Sequence, residues 1–495
     1  MPVPEFGNES EDCLYLDVYV PSKAIKNPNL KLPVVVYIFG GAYILGSKDV
    51  YQPSLPFYDG SGMMGQSGNN FIFVTFNYRL GAFGFLAGTT MEKDGLPNAG
   101  LWDQRAAFEW VQSYISKLGG DPGQVTAMGE SAGGGSVLHH LVANGGTLDP
   151  LFRRAIVLSP AFVPIWDRAG KCEDTYARFA ELAGCKGKGV ECLRSADASR
   201  LVKANRDIMN EQRPGTFGIG PTPDGSFIRQ LPVLEIKTGN FWRGIESMIL
   251  SHCEKESTLF VSGGVSTNAQ FDDFIGYIFP EYAKTLGVNA AVSSYYPPVS
   301  GSRSKYTSQS ARVEAFVRDS SMTCNVRYLA EALGDNKVWN MQYSVSPGWH
   351  GADLFAVFYN QRFTSNSWST ILGSLVLLPM GILFGGISSA MQSYFSSFII
   401  TGDPNKQRAM WNLPPTIGWN HPNSRSEGIS NVVNVGNWWY STITDGEVPK
   451  GACDFWKDFS AAVTAGGGYA PPGAVVTQNL VEVGLNVSDA YVGGN

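Results

Sequence analysis

The sequence predicts an α/β architecture, a mostly parallel central sheet with helices on both faces. Three observations predict it. Short runs dominated by Val, Ile, Tyr and Phe alternate with helical stretches over the first two thirds of the chain. The central runs are nearly continuous in apolar residues, as strands buried on both faces of a parallel sheet read. One of them, VTAM, leads straight into a glycine-rich turn and then a helix-compatible stretch, SAGGGSVLHHLVA.

The strands follow in order: CLYLDVYV (13–20), LPVVVYIFG (32–40), FIFVTFNYR (71–79), QVTAMGE (124–130), RAIVLSP (154–160), SMILSH (247–252) and KVWNMQYS (337–344). Between them, residues 101–120 place Leu101, Ala106, Ala107, Trp110, Val111 and Tyr114 on one face, with a glycine stop, and residues 175–184 read as another helix. The segment from about 405 is rich in Asn, Gly and Pro and studded with aromatics, and it ends in a polar tail over 465–495. No linker divides the chain, so 1–495 is expected to form one domain. No fixed-period repeat is present, which argues against solenoids and propellers.

Composition narrows the function classes. With 44% apolar and 16% charged residues, a chain of 495 can bury a large core and is not disordered. Its 57 glycines predict tight turns and close backbone approaches. A net charge of −6, without a Lys/Arg run, argues against nucleic acid as the main partner. The uncharged run Ile371 to Ile387 is broken by Pro379 and glycines and lacks a basic flank, so it reads as a buried pocket wall rather than a membrane span. The start, MPVPEFGNESED, shows no signal peptide. Sequons at Asn8 and Asn486 are compatible with secretion. Of seven cysteines, Cys185 and Cys192 enclose a short loop that a disulfide could close.

The chemistry centres on Gly129-Glu130-Ser131-Ala132-Gly133, a G-x-S-x-G between strand and helix. Such a turn forces the serine into a strained conformation and presents its hydroxyl above the sheet. The competing structural reading is a glycine-rich helix N-terminus capped by Ser131. A serine hydroxyl needs a base, and the chain has only five histidines. His139 and His140 lie on the same helix as Ser131, on the order of 12 Å away. His252 ends a strand and His421 sits in a polar turn. His350 follows a strand and the turn SPGW late in the chain, where this architecture puts its base.

The base needs an acid to fix its tautomer. In the order serine, acid, histidine it lies between 131 and 350. Glu254 and Glu256 both follow the strand SMILSH, and Asp224 and Asp319 compete from loops; position does not separate the first two. Backbone N–H groups for an oxyanion are expected from Ala132 and from the loop Phe39-Gly40-Gly41-Ala42 after an earlier strand.

SEDCLYLDVYVP, FGGAY, NYRLGAFGFLAG, NAGLWDQRAAFEWV, LGGDP and GESAGG together resemble the type-B carboxylesterase/lipase family over about residues 8–420, with the flavour of its fungal branch. The resemblance implies an α/β-hydrolase fold and a serine esterase. It assigns Ser131 as nucleophile, Glu256 as acid through KEST, His350 as base through WHGAD, and Gly41, Ala42 and Ala132 as oxyanion donors. Phe39 stands where esterases often carry a histidine. The family's small disulfide aligns with Cys185 and Cys192. In the family the cysteine of EDCLYL bonds to one upstream and closes a lid-like loop. Here no cysteine precedes Cys13, which implies an unpaired thiol, a missing N-terminal segment and a more open pocket.

The expected function is therefore hydrolysis of carboxylic esters through an acyl-enzyme, with no metal or cofactor. The implied partner is a small-molecule or lipid ester. The uncharged stretch Phe363 to Thr401 is expected to line an apolar pocket, which favours apolar acyl or aromatic esters. The alternative is an inactive esterase-like binding protein, with amide hydrolysis as a third reading. The family resemblance also implies secretion.

Overall fold

The computed structural model describes residues 10–50, 57–166, 168–213, 216–261, 264–301, 304–360 and 371–467, with backbone alone at 28 and 371–384. The sequons at Asn8 and Asn486, residues 361–370 and the tail from 468 lie outside the described residues.

Among the described residues nine strands form one sheet: β1 (Leu16–Tyr19), β2 (Leu32–Ile38), β3 (Ile72–Phe76), β4 (Gly120–Glu130), β5 (Arg154–Leu158), β6 (Ser247–Cys253), β7 (Val338–Tyr343), β8 (Ile429–Val435) and β9 (Tyr440–Asp445). Their order is β1-β3-β2-β4-β5-β6-β7-β8-β9. Pairing is parallel from β3 through β8 and antiparallel at the two edges, β1 on β3 and β9 on β8. Every residue of β2, β3, β6 and β7 is buried, which is why these strands read as unbroken apolar runs.

The region after 405 is more ordered than its composition suggests. It holds the β8–β9 hairpin and the helix Lys450–Gly466. In β8, ISNVVNV, buried and part-exposed positions mix, so the apolar run that marks a central strand is missing. The helix Ala99–Tyr114 passes into a 3₁₀ turn, Ile115–Leu118, and stops at Gly119 with φ 82°.

The helix Ile371–Thr401 corrects the expected pocket wall only over 385–401, since residues 363–370 and the side chains of 371–384 lie outside the described residues. Its described residues Ala390, Met391, Tyr394, Phe395 and Phe398 share one face at helical spacing and are buried in the main core rather than around a pocket. No helix among the described residues is long and apolar enough to cross a membrane.

The core has two parts. The larger packs both faces of the sheet. The second lies among the helices of residues 268–333 and the helix Lys450–Gly466, around Phe316, Phe455, Trp456 and Phe459. Two disulfides form, Cys185–Cys192 and Cys324–Cys453, the latter closing a separation of 129 residues. Cys13, Cys172 and Cys253 are not disulfide-bonded.

Candidate active site

Strand order explains how the loops carrying residues 131, 256 and 350 reach one end of the sheet. β4, β5, β6 and β7 are successive neighbours, and the three side chains follow the carboxyl ends of β4, β6 and β7. Parallel neighbours deliver their following loops to the same end of the sheet.

Ser131 occupies a sharp turn between β4 and the helix Ala132–Gly146, with φ 56° and ψ −122°. A β-carbon residue at positive φ is strained, and this one is pinned by neighbours. Its N–H donates to Leu158 O at 3.0 Å, and its carbonyl accepts from Ala161 N–H at 3.0 Å. The glycines are required by space. A methyl on Gly133 would run into the Ile38 carbonyl, and one on Gly129 into the Gly133 backbone. A methyl on Gly40 would come within 2.8 Å of Ser131 Cβ, so the β2 loop lies directly against the serine turn.

In that loop Gly41 has φ 114° and Ala42 φ 55°. Phe39 anchors it: its ring stacks on Tyr78 at 4.5 Å, and Tyr78 Oη donates to its carbonyl at 2.9 Å. Ala132 opens its helix, where a first-turn N–H has no intrahelical acceptor.

Glu256 and His350 are brought together by register. The parallel ladder of β6 and β7 continues as a bridge between Lys255 and Trp349, with Lys255 N–H donating to Gly348 O at 2.8 Å. Glu256 and His350 are the next residue on each side. The Glu256 carboxylate pairs with His350 Nδ1 through Oε2, while Oε1 accepts the Cys253 N–H at 2.5 Å. Glu256 is 1% exposed and Glu254 is exposed, which separates the two candidates. The other competitors are engaged elsewhere. Asp224 accepts from Asn98, Ser226 N–H and Ile228 N–H, and Asp319 from Tyr296 and Arg318.

The remaining histidines have other partners. His139 meets the Gly135 carbonyl and His140 the Gln104 side chain, and burial lowers their pKa values to about 4 and about 3. His421 meets Val338 O, at the opposite end of β7 from His350. His252 pairs with Asp445.

His350 Nε2, the atom a serine proton would reach, makes no hydrogen bond among the described residues. It faces Glu130 Oε1 at 3.5 Å. Burial disfavours the imidazolium, but Glu256 and Glu130 outweigh it and raise the His350 pKa to about 9. Burial also raises Glu130 to about 8, with Asp353 and Glu256 adding repulsion, and raises Asp353 to about 6. For Glu256, burial opposes ionisation, yet the facing His350 holds its pKa below the usual glutamate range.

Glu130 and Asp353 were not singled out by motif reasoning. Their signal is an acidic residue at the end of a buried strand, and a second one three positions after the histidine.

Ser131 opens onto a small cavity of about 40 Å³ whose walls include Ala42, Phe162, Phe217, Ile219, Phe260 and Met322. None of the described residues 385–401 is among those lining it. Phe260 also packs edge-on to the His350 ring at 5.1 Å.

The motifs shared with known esterases build this frame. Arg79 of NYRLG makes a two-pronged pair with Asp103 of LWDQ, both contacts at 2.8 Å. Asn98 of NAGLW, at φ 57°, exchanges hydrogen bonds with the Thr222 backbone.

Fold and site together define an α/β-hydrolase that acts on carboxylic esters. Residues 2–429 match the carboxylesterase family, and the chain belongs to it. It is 42% identical over 461 residues to a "Secreted lipase" of Arthroderma benhamiae, covering 93% of this chain and 85% of that one. It is 34% identical to "Carboxylesterase patB" of Penicillium expansum, over 80% of this chain and 68% of that one. The crystal structure of Aspergillus niger EstA superimposes with a TM-score of 0.74 at 27% identity, covering 93% of this chain and 86% of that one.

Proposed function

We propose that the protein hydrolyses esters through a covalent acyl-enzyme. Ser131 Oγ attacks the ester carbonyl while His350 Nε2 takes its proton. Glu256 holds the ring by Nδ1 and compensates the imidazolium. The tetrahedral oxyanion is met by the N–H groups of Gly41, Ala42 and Ala132, each worth about 10²–10³ in rate at such sites. His350 then protonates the leaving alcohol, and water, activated by the same imidazole, releases the acid. The observation that carries this reading is the buried His350–Glu256 pair, whose second nitrogen makes no hydrogen bond among the described residues and faces Glu130, the residue before the strained serine turn.

The apolar, aromatic-walled cavity at Ser131 favours neutral acyl or aromatic groups. A carboxylate in the acyl chain would enter without a charged partner among the lining residues. The secreted relatives and the two disulfides support export from the cell.

A panel of p-nitrophenyl esters tests the reading. Wild type is expected to hydrolyse acetate, butyrate and benzoate, and to turn over the succinate half-ester at least tenfold more slowly. Ser131→Ala should abolish the reaction with the fold intact by circular dichroism. Retained activity in that variant would overturn the assignment.

A further inference from the structure

We propose that His252 is a positioning residue: clamped between Asp445 and the Cys253 carbonyl, it fixes the strand end that presents an N–H to Glu256. This rests on the triad reading above. His252 and Asp445 are each 1% exposed. Nε2 lies 2.6 Å from Asp445 Oδ2, and Nδ1 lies 2.8 Å from the Cys253 carbonyl oxygen. A carboxylate and a carbonyl both accept, so each ring nitrogen must carry a proton and the ring is an imidazolium.

Cys253 is thereby held on two sides. Its carbonyl accepts from His252, and its N–H donates to Glu256 Oε1 at 2.5 Å. The charged groups around the ring are Asp445 from β9 and Glu256 from the loop after β6. Behind Asp445 stands Arg318 of the helix Gln309–Ser321, itself paired with Asp319 and Glu447. Asp445 Oδ1 also accepts the Glu447 N–H at 2.8 Å. Burial disfavours charge on His252, yet the Asp445 carboxylate prevails and its pKa is raised to about 9. The β8–β9 hairpin is thus wired to the acid of the triad through one buried cation.

Removing that cation leaves Glu256 less firmly held and the site more negative. The first effect weakens Glu256's hold on the imidazolium and lowers the pH at which His350 gives up its proton, whereas the lost charge acts the other way and only in His252→Gln, because Asp445→Asn leaves the pair at net zero charge. His252→Gln and Asp445→Asn are therefore expected to lower kcat about tenfold with KM within twofold, per site counted by fluorophosphonate titration. The acid limb of kcat/KM should move to lower pH in Asp445→Asn, where only the loosening of Glu256 acts. A fall in melting temperature with kcat and pH profile unchanged would show a purely structural pair and overturn the proposal.

If neither variant folds, nitrogen-15 NMR of histidine-labelled wild type, with five histidines to assign, decides. Both His252 nitrogens protonated at pH 7 supports the clamp; a neutral ring overturns it. A wild type that neither labels at Ser131 nor hydrolyses esters would instead sink the triad reading, and the NMR result tells the two failures apart.

Discussion

His350 faces opposite demands at its two nitrogens. Nδ1 is paired with Glu256, while Nε2 must be free to accept a proton next to the Glu130 carboxyl. Both acids stabilise the imidazolium, and a base works only in its unprotonated form, which exists above the folded-state pKa. The acid limb of kcat/KM is therefore expected between about pH 8 and 9 rather than near the ordinary imidazole value of about 6.5. Glu130→Gln removes one of the acids and should move the limb to lower pH. A pH–rate profile of both enzymes on a neutral ester checks this. Motif and chain order alone single out Ser131 and His350 as the candidates for nucleophile and base. Glu256 could be separated from Glu254 only by resemblance, because both follow the same strand. What distinguishes them is a bridge between Lys255 and Trp349, a contact between segments 94 residues apart that no local pattern records.

Elements hold these residues by close backbone approach. The serine turn is wedged between β2 and β5, and Gly133 is the tightest point, against the Ile38 carbonyl. Gly133→Ala should destabilise the protein by about 1–3 kcal/mol and reduce kcat, since relief requires the turn to shift. Gly65→Ala, in the helix Ser61–Gln66 with open space around it, should be neutral or slightly stabilising. Thermal melts and initial rates of the two variants make the comparison. Seven of the nine strands were legible, because burial on both faces writes itself as consecutive apolar residues. β8 and β9 were not: an edge hairpin needs apolar residues on one face only, and Asn431, Asn434 and Ser441 break the pattern. Over residues 385–401 the uncharged stretch misled for a related reason, since a helix face packed on the core and a pocket wall have the same composition.

At the scale of the whole molecule, the sheet with its own core carries the site, and a second core of helices is tied together by Cys324–Cys453. The sequence did not disclose this pairing, because its partners are 129 residues apart and meet only once the helix Lys450–Gly466 docks. By loop entropy such a closure stabilises by about 5 kcal/mol. Cys324→Ala with Cys453→Ala should lower the denaturation midpoint by a corresponding amount, while the acid limb of kcat/KM stays in place, as urea titration and a pH profile would show. The central claim is that Ser131, Glu256 and His350 converge on one substrate carbonyl. A crystal structure of the protein after reaction with a fluorophosphonate tests it most directly. The account predicts phosphorus on Ser131 Oγ, the phosphoryl oxygen facing the N–H groups of Gly41, Ala42 and Ala132, and His350 Nε2 within hydrogen-bonding distance of Oγ. Phosphorus on another residue, or an imidazole turned away from the adduct, would contradict it.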